Sequence, residues 1–319
     1  MHTARPGRTH STALLLCCVA GLAGCAGIDE QVASYGALST PVELTEVPFY
    51  PQERYQCGPA ALATLLVESA AETSLESITE QVYLPGRQGS LQAELVAATR
   101  ANERIPYVLD GSLRALIAEL ETGRPVLVLQ NLGVSWYPQW HYAVVVGIDP
   151  GADRVILRSG TERRRLTPTR TFLRTWERGD YWALIALEPG ELPAAPVKGR
   201  YLEAVAAVEA TGHTESAYAG WQAGVERWPR DQAALFGLAS AAYSLERYGE
   251  SERLYRQLLG LQPGLHPARN NLAYALAAQG RRDEALGEIR WILDRIPADG
   301  DTRAIYEDSY RDIAVRKAE

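Results

Sequence analysis

Hydrophobic and polar positions fall into three regimes along the 319-residue chain. A basic start with Arg5 and Arg8 gives way to an apolar run over 13–23 that ends in small residues, the pattern of a secretory signal peptide. That run is too short to span a bilayer. The second regime begins with helical spacing. Pro59 predicts a helix start, because a proline in the first turn forfeits no hydrogen bond, and the Ala-rich segment after it carries the helix to Ser69. Residues 74–82 and 91–102 repeat the helical spacing, with Ser90 as the expected N-cap of the latter, and 112–120 does so again between a Ser112 cap and a Gly123 stop. Strands are predicted over 105–109, 126–130, 141–148, 154–158 and 181–187, with hairpin chemistry at 149–153 and a short helix over 170–178. Helices first and a mostly antiparallel sheet afterwards make an α+β arrangement, assigned to residues 47–188.

The third regime follows a Pro- and Ala-rich linker at 189–197 and is helical throughout. Pro229, Pro263 and Pro297 stand 34 residues apart. Eight residues before each come Trp221, Tyr255 and Ile289; twelve before come Ala217, Ser251 and Ala285; twenty-five before come Ala204, Leu238 and Leu272. Large and small positions recurring in phase are the spacing of the tetratricopeptide repeat, giving three repeats over 198–299 and a capping helix over 300–319. A surface of this kind offers a place for a protein partner.

Charge and cysteine usage narrow the picture. The net charge is −7, and loss of Arg5 and Arg8 with the signal leaves 30 basic against 39 acidic residues, with no basic stripe of the kind that grips nucleic acid. Leu22-Ala23-Gly24-Cys25 resembles the lipobox of bacterial lipoproteins, which implies a signal over 1–24, lipidation of Cys25 and a tether over 25–46. Ala26 after that cysteine implies sorting to the outer membrane, facing the periplasm. Acylation makes the anchor stable. Cys17 and Cys18 leave with the signal, so Cys57 is the sole free thiol of the mature chain. A solitary thiol in an oxidising compartment calls for a use.

Cys57 lies at the mouth of the predicted helix, whose positive end favours thiolate over thiol. A nucleophile needs a base, and His141 is the single histidine between residues 47 and 188. Counting back from an Ile148–Arg154 pair sets Ala143 against Ser159, one diagonal from His141. Ser159 or Thr161, or a backbone carbonyl, is therefore the candidate to orient the imidazole; Asp149 is roughly 26 Å along the strand and too far away. Trp136, Tyr137 and Trp140 crowd the approach as either groove wall or ordinary packing. No metal or other cofactor is expected, since no remaining His and Cys residues stand at ligand spacing.

Gln52, the run Gln56-Cys57-Gly58-Pro59-Ala60-Ala61-Leu62 and the run His141-Tyr142-Ala143-Val144-Val145-Val146-Gly147 resemble the motifs of the double-glycine leader peptidases, papain-like cysteine peptidases of family 39 that mature exported peptides. The likeness runs over about residues 45–190. It implies attack by Cys57, proton transfer by His141 and an oxyanion held by Gln52 with the Cys57 N–H. Two departures stand out: Gln52 is five residues before the cysteine where the family has six, and Ser159 takes the place of the family's acid. The expectation is a membrane-anchored cysteine peptidase acting on a peptide or protein; the alternative is a non-catalytic envelope scaffold that binds peptides with the same fold and repeats.

Overall fold

The computed structural model describes residue 31 and residues 40–52, 56–297 and 301–315. The signal segment, the Cys25 lipidation site and most of the tether lie outside the described residues. Among the described residues twelve α-helices and seven strands follow in chain order: β1 (Val42–Glu43), α1 (Cys57–Glu68), α2 (Leu75–Val82), α3 (Gln92–Ala101), β2 (Ile105–Val108), α4 (Leu113–Glu121), β3 (Val126–Asn131), β4 (Trp140–Asp149), β5 (Arg154–Ser159), β6 (Glu162–Pro168), α5 (Thr169–Glu177), β7 (Ala183–Leu187), then α6 (Lys198–Glu209), α7 (Thr214–Arg227), α8 (Gln232–Ser244), α9 (Tyr248–Leu261), α10 (His266–Ala278), α11 (Arg282–Leu293) and α12 (Asp301–Val315). Two compact units emerge. Of the described residues, the first takes those up to 65, 84–89 and 108–185, and the second takes 66–83, 90–107 and those from 186 on.

The sheet has the order β2-β7-β3-β4-β5-β6, with β1 pairing β4. The pairings β1–β4, β3–β4, β3–β7, β4–β5 and β5–β6 are antiparallel. Strand β4 is the spine: its first half pairs β3, and its end pairs β1 through Val42↔Ile148 and Glu43↔Gly147. Gly147 is required by that crossing, because a Cβ there would stand 2.6 Å from the Val42 carbonyl oxygen. Val126–Asn131 is buried at every position, as a strand covered on both faces must be.

Four sequence expectations need correction. Helix α1 begins at Cys57 and not at Pro59, with Ala60 N–H donating to the Gln56 carbonyl (3.1 Å) as its first turn closes; Pro59 is still tolerated because first-turn N–H groups have no intrahelical acceptor. Helix α3 starts after Leu91 with no side-chain cap, so Ser90 does not play that part. Residues 162–168, for which the sequence pattern predicts no element, form β6, an exposed edge strand. Finally, the tether ends earlier than residue 46: Val42–Glu43 is β1, and Gln31 Oε1 accepts from the Leu113 N–H (2.8 Å) at the start of α4.

Arg158 explains why 44–47 belongs to the domain. Its buried guanidinium donates to the carbonyls of Leu44 (3.3 Å), Thr45 (3.0 Å) and Val47 (3.1 Å) and to that of Arg163 (2.6 Å). A fork of N–H donors suits a bend of converging carbonyls.

In the second unit the repeat phase is strict. The first helices of the three pairs start at Lys198, Gln232 and His266 and the second helices at Thr214, Tyr248 and Arg282, each series stepping by 34 residues. Ala217, Ser251 and Ala285 are fully buried, and Trp221, Tyr255 and Ile289 pack beside them. Replacing Arg158 with Ala strands the Leu44, Thr45 and Val47 carbonyls; denaturant unfolding is expected to show a loss of about 3 kcal/mol, and limited proteolysis should cut first within 44–52.

Candidate active site

The site forms where the β4–β5 hairpin opens. The hairpin closes through Asp149↔Arg154 and Ile148↔Val155, not the expected Ile148–Arg154, and a bulge between Val145 and Gly147 shifts the register back so that Val144 faces Arg158. Ala143 thus still opposes Ser159, because the bulge cancels the shift at the turn. Beyond that point the chain turns at Gly160, and Tyr142 has no partner on β5.

Tyr142 N–H and C=O both face this open side, since its cross-strand partner Leu129 sends its own N–H the other way, to the Trp182 carbonyl (3.2 Å). Two residues pair with this edge. Gln52 enters as a wedge: its N–H donates to Gly160 O (3.0 Å), its Oε1 accepts from Gly160 N–H (3.0 Å), and its Nε2 reaches Tyr142 O at 3.4 Å. The Cys57 sulfur receives the Tyr142 N–H, together with the N–H groups of Gly58 and of Cys57 itself. Cys57 and Gln52 thereby meet the backbone of one residue, Tyr142, which follows His141 in the chain.

His141 Nε2 lies 2.8 Å from the Oγ of Ser159, a buried hydroxyl that is 3% exposed. With Nε2 engaged, Nδ1 is the ring nitrogen left for the sulfur. No thiol–imidazole hydrogen bond is formed in this resting arrangement among the described residues. Thr161, the other candidate for orienting the ring, lies on the exposed β5–β6 turn. Among the described residues no three His, Cys, Asp or Glu side chains gather as a metal site.

The electrostatics overturn the thiolate expectation. Burial pushes the Cys57 thiol above its usual range, outweighing the N–H groups that pull the other way. Burial, reinforced by the Arg165 guanidinium, pulls His141 down to about 4. At neutral pH the pair rests as thiol and neutral imidazole. The partial charge of a helix end is too small to offset removal of a full anion from water. Arg165 was missed from the sequence, though its pairing with Leu157 puts it on the His141 face of the sheet, Leu157 in turn facing Val145. Alternation within β6 would have found it had β6 been recognised.

A histidine held below its unfolded value of 6.5 stays neutral in the fold while the unfolded chain takes up a proton. Its contribution is therefore intact above pH 6.5 and is lost as the pH falls toward 4, by up to about 3 kcal/mol at 1.36 kcal/mol per unit. Denaturation followed from pH 7 to pH 4 should show this slope, and His141→Gln should flatten it.

Residues 44–183 match the model of the Peptidase_C39 like family. No curated protein matches the chain. Among solved structures, a C39-like peptidase from Bacillus anthracis is similar at 16% identity and a TM-score of 0.39, covering 47% of this chain and 98% of that one. The type III secretion chaperone SycD of Yersinia enterocolitica is similar at 14% identity and 0.34, covering 37% and 83%. The TPR2B domain of yeast Sti1, solved with an Hsp70 complex, is similar at 16% and 0.34, covering 37% and 96%. What residues 44–183 resemble is thus the Peptidase_C39 like family, and the helices after them repeat with the 34-residue step of a tetratricopeptide array.

Proposed function

We propose that this chain is a lipid-anchored cysteine peptidase of the bacterial envelope, held through Cys25 at the outer membrane, that cleaves a peptide or protein with Cys57 as nucleophile and His141 as base. The observation that supports it is that the Cys57 sulfur takes the N–H of Tyr142, the residue after His141, while Ser159 Oγ lies 2.8 Å from His141 Nε2.

From a neutral pair the reaction runs by general-base catalysis. The Nε2–H tautomer donates to Ser159 Oγ and leaves the Nδ1 lone pair to take the thiol proton as sulfur attacks the carbonyl carbon. The resulting imidazolium returns that proton to the leaving amine, and a water activated at Nδ1 then hydrolyses the thioester. The Cys57 N–H, with the second amide hydrogen of Gln52, is the candidate donor set for the oxyanion. A hydroxyl steadies the imidazolium less than a carboxylate does, and Arg165 opposes it, so the base is weak. The repeats serve to hold a partner or the substrate itself.

The scaffold reading draws on the same facts: a raised thiol, a depressed imidazole and a serine in place of an acid. Labelling with a peptidyl electrophile separates the two. Under the peptidase reading, label maps to Cys57, disappears in Cys57→Ala together with hydrolysis, and kcat/KM rises with pH through about 4 as His141 loses its proton. Hydrolysis that survives Cys57→Ala overturns it. Ser159→Asp places an anion beside Nε2, which should raise the His141 pKa by ~1–3 units and increase kcat about tenfold or more, with the acid limb of the pH profile moving up in step.

A further inference from the structure

The turn between β3 and β4 is built to stay rigid while exposing apolar side chains. Asn131, itself buried, accepts through Oδ1 from the N–H groups of Gly133 (3.0 Å) and Gln139 (2.9 Å). Leu132 N–H donates to Gln139 O (2.9 Å), and Val134 and Tyr137 exchange N–H···O bonds of 3.3 and 3.0 Å. Gly133 admits the fold-back, since a Cβ there would stand 2.3 Å from Tyr137 O. Ser135 and Trp136 form the tip. On this frame Trp136 is 86% exposed, Tyr137 69% and Trp140 56%, with Leu132 and Val134 exposed beside them. That excludes core packing as their role.

A hairpin tip is convex, so it enters another phase instead of receiving a ligand, which a cleft would do. Trp and Tyr, each apolar with one polar end, suit the headgroup layer of a bilayer. Charge points the same way. Arg170, Arg174 and Arg178 recur every four residues along one stripe of α5 and its C-cap, and Arg178 donates to the Asn131 carbonyl (3.2 and 2.9 Å), so the stripe ends at the hairpin's base. Arg174 is exposed; Glu177, seven residues after Arg170, shares that face of the helix and bonds the Tyr181 hydroxyl, leaving three arginines against one carboxylate along the stripe. Cations beside aromatic tips complement an anionic phospholipid surface. Gln31 is held at the start of α4, so the six residues from Cys25 to Gln31 reach at most ~20 Å, which keeps the domain that carries the hairpin close to a membrane holding an acylated Cys25.

We propose that the β3–β4 hairpin docks on an anionic phospholipid bilayer by inserting Trp136 and Tyr137 at the headgroup layer. Because β4 runs from this hairpin straight into His141, docking sets the site against the membrane and selects peptides presented there. That consequence rests on the peptidase reading; the docking does not.

The test is flotation of the mature chain carrying Cys25→Ser, so that no acyl group contributes, with vesicles of phosphatidylglycerol and phosphatidylcholine at 3:7 and with phosphatidylcholine alone. The proposal requires flotation with the anionic vesicles, weakened by salt and by omission of phosphatidylglycerol. It also requires a loss of at least about tenfold in vesicle affinity in Trp136→Ala and Tyr137→Ala at unchanged Tm and unchanged electrophile labelling of Cys57. Absence of flotation, or equal flotation of parent and variants, overturns it. So does a rise in KM for a soluble peptide in Trp136→Ala without change in vesicle binding, which assigns the hairpin to the substrate groove. An inert Cys57 with vesicle binding intact would fail the peptidase reading alone.

Discussion

One peptide edge organises the site. Strand β5 stops opposite Ala143, and the N–H and C=O of Tyr142 are left facing outward from the sheet with no strand to pair them. Buried backbone groups do not stay unpaired, so the fold recruits what it can: the sulfur of Cys57 on one side and the amide of Gln52 on the other. The same vacancy that a longer β5 would have closed is what brings a thiol from the N-terminal helix to the histidine strand. Arg158, next to Ser159, fastens the segment that delivers Gln52 and so keeps the wedge in place.

Much of this was legible in the residues. The repeat spacing gave three helix pairs whose starts step by 34 residues, because a repeat that must interlock with its neighbour cannot drift in phase. Elimination singles out Cys57 and His141, which the structure brings to one stretch of strand β4, and strand arithmetic places Ser159 beside the ring, although the arithmetic holds only because a bulge at Val146 compensates a turn one residue shorter than assumed. Sequence patterns report side-chain alternation and not bulges, so agreement of this kind is partly fortunate.

What the pattern hid was tertiary. Arg158 reads as one more polar residue at a strand end, and nothing local reveals that four carbonyls from distant segments close around it. The resting charge state was hidden for the same reason. A helix terminus is visible in sequence, whereas the burial that defeats it depends on what packs over the sulfur, and Arg165 arrives from an edge strand whose run of arginines conceals its period.

An uncharged sulfur has a further consequence. Peroxide and disulfide exchange act on the anion, and susceptibility to sulfenic and higher acids follows thiolate character. Cys57, kept protonated by its surroundings, is therefore a slow target for oxidants, with no second described cysteine to rescue it. The burial that lowers the reactivity of the sulfur also preserves it, so the side chain keeps its reducing equivalent for as long as its surroundings hold the proton in place.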